Sequence, residues 1–328
     1  MDDMEENERT EPRSGGRRWL NLLRVLISVG TLVFLFGRVV GLGETLAVLR
    51  QAEPAYWLAA FLLYALSLIV RALRWLTLIR GLGLTIPFSR LVRLYFVGAF
   101  FSAFLPSQFG GDVVRALELT QDVDSAAAVG TVLLDRMTGL LVLFAMGLVV
   151  LPFHAARMEA WLVGTLLVVA VGGLAAGGLI LEGRLLQRLT RWLPPALSLT
   201  GQGPLAKIYA AVTGCGGRAV LRAGVVSLAF NLINVLINWL CGQTVGAGIG
   251  LGYFFAVTPL LSVSGLIPTI GGWGVREAVS TAIFAPTGAG ESVAAALGLA
   301  LGSVTLATGL LGGLVYGVEV WRELRAGR

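Results

Sequence analysis

The sequence predicts an all-α polytopic membrane protein, with about six full transmembrane helices and two re-entrant helical hairpins broken by Gly and Pro, arranged as an inverted repeat. Three observations carry this. The chain has a mean hydropathy of +0.82 and is 56% hydrophobic. Only 13% of its 328 residues are charged, where a soluble domain has roughly a quarter. A phrase of helix-breaking residues also occurs twice. It reads Leu105-Pro106-Ser107-Gln108-Phe109-Gly110-Gly111-Asp112-Val113-Val114-Arg115 and then Ile267-Pro268-Thr269-Ile270-Gly271-Gly272-Trp273-Gly274-Val275-Arg276-Glu277. The two arginines are 276 − 115 = 161 positions apart, about half the chain. Paired Gly/Pro interruptions in two halves of a membrane protein mark the binding site of repeat-built transporters.

The elements follow in chain order. Residues 1–18 mix acids with Arg9, Arg13, Arg17 and Arg18 and read as a disordered cytoplasmic tail. A spanning helix needs about 20 mainly apolar residues. Runs of that kind cover 19–40, 56–79, 126–151, 160–181, 222–245 and 291–318. The first sits behind the polar tail and lacks a small-residue cleavage site, so it reads as a span rather than a signal peptide. Two shorter segments, 91–105 and 252–267, run straight into the duplicated phrase. A cytoplasmic tail, 319–328, ends the chain.

Loop charges assign the sides. Arg17, Arg18 and Arg24 place the N-terminus in the cytoplasm. If 91–105 crossed the membrane, the basic loop 182–221 would lie outside, against the positive-inside tendency. If 91–123 and 252–286 instead enter and leave from one side each, that loop and Arg322, Arg325 and Arg328 fall inside. The N- and C-termini are then both cytoplasmic, and the hairpins enter from opposite faces. Within the basic loop, Arg184, Arg188 and Arg191 share one helical face while Leu185, Leu189 and Trp192 share another. That pattern suits a helix lying on an anionic leaflet as well as an ordinary basic loop.

Physical chemistry picks out the candidate site. Non-helical backbone inside a bilayer must be buried in protein or line a wet cavity. Gly110, Gly111, Gly271 and Gly272 permit a sharp turn, and the residues after each pair read as a new half-helix whose first N–H groups favour an anion. Arg115 and Arg276 sit in or near that first turn, where a bound phosphate would offset their charge. The structural alternative pairs Arg115 with Asp112 or Glu118, and Arg276 with Glu277 or Glu291. Arg71 and Arg74 share a face of the second span. Asp135 lies roughly 13 Å inside its span, next to Arg136. Charges at such depth are costly and mark either a site or an ion pair. Asn231, Asn234 and Asn238 recur at helical spacing and read as interhelical hydrogen bonding. Gly173/Gly177, Gly298/Gly302 and Gly309/Gly313 read as packing seams.

The remaining signals argue against other chemistry. Cys215 and Cys241 match no metal or redox spacing, and His154 stands alone in a loop, so no metal and no cofactor are expected. The net charge of +6 is spread over loops beside spans, which sets orientation rather than nucleic-acid binding. There is no phosphate-binding loop for direct ATP use and no His-Glu-x-x-His motif.

Together, Arg71-Ala72-Leu73-Arg74-Trp75, Leu105-Pro106…Gly110-Gly111-Asp112-Val113-Val114-Arg115, Asp135-Arg136 and Pro268…Gly271-Gly272-Trp273-Gly274-Val275-Arg276-Glu277 resemble the lysylphosphatidylglycerol synthase transmembrane-region family, also called the flippase-like domain family. The resemblance covers roughly 19–318. It implies a stand-alone inner-membrane (cell-membrane) lipid flippase without the synthase domain. Such a protein would move or bind an anionic or aminoacylated phospholipid, or a polyprenyl-phosphate-linked headgroup, between leaflets. The expected partners are that lipid and the bilayer. The competing readings are a membrane glycosyltransferase, for which Glu44, Glu53 and Asp112 are the available acids, and a non-transporting partner subunit of a cell-envelope glycosyltransferase or lipid synthase. The flippase reading makes the chain a transporter and not an enzyme.

Overall fold

A computed structural model describes residues 42–105, 109–192, 194, 198–199, 201–267 and 269–325. The predicted tail 1–18 and first span 19–40 lie outside the described residues, as do Pro106, Ser107, Gln108, Pro268 and 326–328 of the terminal tail. Among the described residues the chain is helical, with no strand. The helices are α1 (Leu42–Arg50), α2 (Pro54–Gly81), α3 (Phe88–Phe104), α4 (Gly110–Leu119), α5 (Ser125–His154), α6 (Ala160–Glu182), α7 (Arg184–Thr190), α8 (Pro204–Gly214), α9 (Gly217–Thr244), α10 (Leu251–Ser264), α11 (Val275–Phe284) and α12 (Glu291–Arg325).

Five of these, α2, α5, α6, α9 and α12, are long and apolar enough to cross a membrane. They coincide with the five described spans read from hydropathy. Local chemistry sets their starts. Pro54 stands in the first turn of α2, where its missing N–H costs nothing. Asp124 caps α5 by accepting from the Ala126 N–H at 2.9 Å. The stretch between the first two predicted spans is helical over α1, whose Glu44 accepts a hydrogen bond from Ser292 at 2.8 Å.

The two short apolar segments each become one arm of a broken hairpin. The first hairpin is α3, a break after Phe104, then α4; the second is α10, a break with a 3-10 turn at Ile270–Gly272, then α11. At 17 and 14 residues, α3 and α10 fall short of the roughly 20 residues a helix needs to span.

Apolar cores lie beneath both hairpins, and a smaller one of Leu78, Leu134, Val212, Cys215 and Ala223 joins α2, α5, α8 and α9. Leu68, Trp75, Ile79, Leu91, Leu94 and Leu119 pack beneath the first hairpin. Ile237, Phe254, Val257, Phe284 and Leu297 pack beneath the second. The halves interleave: α2 lies along α9, and α3 lies along α12. Glycine makes the second seam possible. A Cβ on Gly312 would lie 1.9 Å from the Phe96 carbonyl oxygen, and one on Gly313 would lie 2.7 Å from the Phe100 ring. Gly173 and Gly177 do the same for α6, facing Phe144 and Leu141 of α5. These small-residue spacings are therefore packing seams, as their pattern predicts. In the basic loop, Leu185, Leu189 and Trp192 are exposed, Trp192 to 84%.

Candidate functional site

A cavity of about 300 Å³ opens between the two hairpins. Ten of the twelve residues singled out from the sequence line it: Arg71, Arg74, Gly111, Asp112, Arg115, Asp135, Arg136, Gly271, Gly272 and Arg276. The other two stand behind the wall. Gly110 begins α4 against Leu105, and Glu277 lies fully buried beneath Arg276. Both copies of the duplicated phrase thus meet at one polar space.

Asp135 is the hub. Its Oδ1 accepts from Arg74 Nε at 2.7 Å. Its Oδ2 accepts from Arg115 Nη2 at 3.0 Å and from the Tyr95 hydroxyl. Arg115 also donates Nη1 to Asp112 Oδ1 at 3.1 Å, and Asp112 Oδ2 accepts from Arg136. The result is a chain of alternating charge, Arg74–Asp135–Arg115–Asp112–Arg136, linking α2, α4 and α5. Asp135, Arg74 and Arg115 are 1%, 3% and 5% exposed. Removing such charges from water is repaid only by close pairing and hydrogen bonding. The network pairs every one of these charges, and of the Arg115 donors Nη1 and Nη2 are used while Nε is left without a partner. The Arg115 guanidinium also lies 3.7 Å from the Tyr95 ring centre and 4.3 Å from that of Trp75, adding cation–π attraction. Of the partners foreseen for Arg115, Asp112 is used; Glu118 instead meets Arg90 at 3.5 Å.

Glycines make room for these cations. A Cβ on Gly139 would fall 2.3 Å from Arg74 Nη1, and one on Gly98 would fall 2.9 Å from Arg115 Cδ. Gly302 of α12 does the same for Arg276, whose Nη2 lies 2.4 Å from where that Cβ would be. Arg276 pairs with Glu277 Oε1 at 3.3 Å and lies 5.0 Å from the centre of the Trp273 ring.

The two phrases fold differently. In the second, Gly271, Gly272 and Gly274 have φ of +58°, +80° and +87°, a run that residues with a Cβ would resist. In the first, Gly110 and Gly111 already belong to α4. Arg115 therefore lies in the second turn of its half-helix and not in the first. Gly111 serves close approach instead, since a Cβ there would sit 2.1 Å from the Gly98 carbonyl oxygen. The anion at each half-helix start is the protein's own carboxylate. Asp112 occupies the first turn of α4, and Glu277 Oε2 accepts from the Gly274 N–H at 2.6 Å.

Arg71 is different. None of the described residues gives its guanidinium a hydrogen bond or ion pair, and its Nε is buried without a partner. It is surrounded by the rings of Phe230, Tyr95 and Tyr64, at 5.2, 5.5 and 5.8 Å. The cluster of Arg71, Arg74, Arg115 and Arg136 with Asp112 and Asp135 has a net charge of 4 − 2 = +2. Adding the Arg276–Glu277 pair leaves it unchanged.

The asparagine stripe forms another wall. Asn231 Nδ2 donates to the Gly139 carbonyl at 3.0 Å, the interhelical bond expected of it, and Asn238 Nδ2 donates to the Asn234 carbonyl at 2.8 Å. The amide oxygens of Asn231 and Asn238 are buried without a partner. Tyr95, Trp75, Tyr64 and Phe230 are site residues that sequence reasoning missed. Tyr64 and Tyr95 carried a signal, since a hydroxyl inside an apolar segment needs a partner. Among the described residues no group of three His, Cys, Asp or Glu side chains could hold a metal ion.

A family model described as the lysylphosphatidylglycerol synthase TM region matches residues 21–313. A UPF0104 membrane protein of Methanothermobacter thermautotrophicus is 23% identical over 327 residues, covering 90% of this chain and 93% of that relative. The UPF0104 membrane protein PH1989 of Pyrococcus horikoshii is 26% identical over 118 residues, 34% of this chain and 35% of its own. MJ1595 of Methanocaldococcus jannaschii, of the same description, is 30% identical over 101 residues, 30% of each chain. The long match spans the hairpins and the helices between them.

Proposed function

This chain belongs to the lysylphosphatidylglycerol synthase TM-region family, and we propose that it is a flippase-like lipid transporter of the cell membrane. In this reading the cavity takes the phosphate of an anionic lipid headgroup while the tails stay in the bilayer. The observation that carries it is the uncompensated charge: a net +2 cluster around a half-buried Arg71, whose Nε is buried without a partner and which no carboxylate among the described residues reaches. An unpaired charge at such depth is costly, and a phosphate would pair with it through two parallel N–H···O bonds. Arg74 and Arg115 would keep their bonds to Asp135, so the ligand would arrive without dismantling the hub. Walls drawn from both hairpins let the cavity open toward one leaflet or the other, according to which hairpin moves. No covalent step is part of the proposal.

The test is reconstitution in liposomes containing acyl-labelled phosphatidylglycerol, with accessibility of the label to an external quencher followed over time. The protein should expose inner-leaflet label. Arg71→Ala should slow this by at least about tenfold, the scale of one lost charge-assisted bond. Its melting temperature should hold, because no carboxylate loses a partner. Equal rates for Arg71→Ala and the parent, or no lipid movement by the parent, would overturn the proposal.

A further inference from the structure

Resting on that reading, we infer that the headgroup this cavity accepts is a phosphate ester carrying neutral hydroxyls, such as glycerol or a sugar, and carrying no ammonium group.

The carboxylates argue first. Among the described lining residues the acids are Asp112 and Asp135. Asp135 already accepts from Arg74, Arg115 and Tyr95, and Asp112 from Arg115 and Arg136. A headgroup amine would therefore have to share a carboxylate already neutralised by two arginines. An ammonium would also enter a site with a net charge of +2, where like charge repels it and low dielectric strengthens the repulsion.

The amides argue second. The unpartnered oxygens of Asn231 and Asn238 lie on residues 0% and 3% exposed that line the cavity. Their N–H groups already donate to backbone carbonyls, so what remains is a pair of acceptors. Buried acceptors of this kind call for donors. Hydroxyl groups are donors that add no charge. The positions are also right. Phe230, next to Asn231, places its ring 5.2 Å from the Arg71 guanidinium, and Ser227, one turn earlier, accepts from Arg74 Nη1 at 3.4 Å. Asn231 lines the same cavity as Arg71, so a headgroup whose phosphate rests on Arg71 shares that space with it. Asn238 stands seven residues further along α9, roughly 10 Å away along the axis.

Affinities of the purified full chain can be compared by native mass spectrometry for four dioleoyl or isoprenoid probes. These are phosphatidylglycerol, phosphatidylethanol, lysyl-phosphatidylglycerol and a polyprenyl-phosphate monosaccharide. Phosphatidylethanol has the diester charge without the hydroxyls. At least one of phosphatidylglycerol and the phosphosugar should bind about tenfold or more above both phosphatidylethanol and lysyl-phosphatidylglycerol. Which of the two leads identifies a glycerophospholipid or an isoprenoid carrier as the source. Asn231→Ala should bring the ratio to phosphatidylethanol down toward one. Asn238→Ala is the second variant should the loss of the Asn231–Gly139 bond spoil folding, and gel filtration reports on both. Lysyl-phosphatidylglycerol binding as tightly as the leading probe, or phosphatidylethanol doing so, would overturn the inference. If every lipid bound equally and Arg71→Ala abolished it, the phosphate site would survive and the inference alone would fall. If no lipid bound, both would fall.

Discussion

Arg115 Nη2 rests 3.0 Å from Asp135 Oδ2, and that contact ties the first broken hairpin to the long helix α5. The same carboxylate holds Arg74 of α2 through its other oxygen. One buried acid thus fixes two buried cations from two further helices, while Arg71, one turn from Arg74, has no such tie. The arginines divide into those that hold the bundle and one that faces the cavity unpaired.

Asp135→Asn should be severely destabilising. It leaves Arg74 and Arg115 buried without their counter-charge, a change that costs about 3–5 kcal/mol when one partner of a buried pair is removed. Thermal unfolding in detergent should show a large drop in the melting temperature, or no monodisperse protein at all. A variant melting like the parent would show that the hub does not hold the hairpin.

Gly139→Ala and Gly302→Ala should each destabilise, since the new methyl would lie 2.3 Å from Arg74 Nη1 and 2.4 Å from Arg276 Nη2. Overpacking of this kind costs about 1–3 kcal/mol. Gly164→Ala and Gly172→Ala on α6 face open space and should be neutral or slightly stabilising. The four melting curves read side by side separate a glycine needed for room from one that is not.

The native thiols should be nearly silent toward maleimide at neutral pH. Cys215 and Cys241 are 3% and 0% exposed, and burial pushes the Cys215 thiol up to about 11. Because the thiolate is the reactive form, labelling of Cys215 should grow with pH, by about a hundredfold between pH 7 and pH 9. The parent is therefore a usable background for introduced cysteines. Ala156→Cys and Gln202→Cys, both at exposed positions, should be reached by an impermeant maleimide from opposite faces of the membrane, Ala156 from outside. Labelling of both from one face would revise the orientation inferred from the loop arginines.

Hydropathy made the long helices legible because the bilayer demands length and little else. The predicted span 56–79 is observed as Pro54–Gly81, and 160–181 as Ala160–Glu182. The broken hairpins were legible for the same reason: Gly and Pro interrupt segments too short to span. What the chain alone did not disclose is who pairs with whom. Asp135 could be read as costly, but its choice of Arg74 and Arg115 over Arg71 depends on helix rotation and on the space left by Gly139 and Gly98. The start of α4 at Gly110 was hidden too, because the same Gly-Gly pair turns the backbone in the second phrase and admits a neighbouring helix in the first. Glu277 as a cap was visible only as a charge beside Arg276.

The seam between α3 and α12 has a consequence for how the protein is made. Phe96 of α3 and Gly312 of α12 touch backbone to side-chain position, yet they are 312 − 96 = 216 residues apart in the chain. At a synthesis rate of about 5–20 residues per second, the first hairpin waits roughly 10–40 s for the helix that completes its wall. The partners of Arg115, namely Asp112, Asp135, Tyr95 and Trp75, and those of Arg90, Glu118 and Asp122, all precede α12 in the chain. The early ion network is therefore a provision for assembly as much as for the finished fold. A chain stopped before α12 would hold every member of that network, Arg74, Asp112, Arg115, Asp135 and Arg136, but not the helix that roofs the first hairpin.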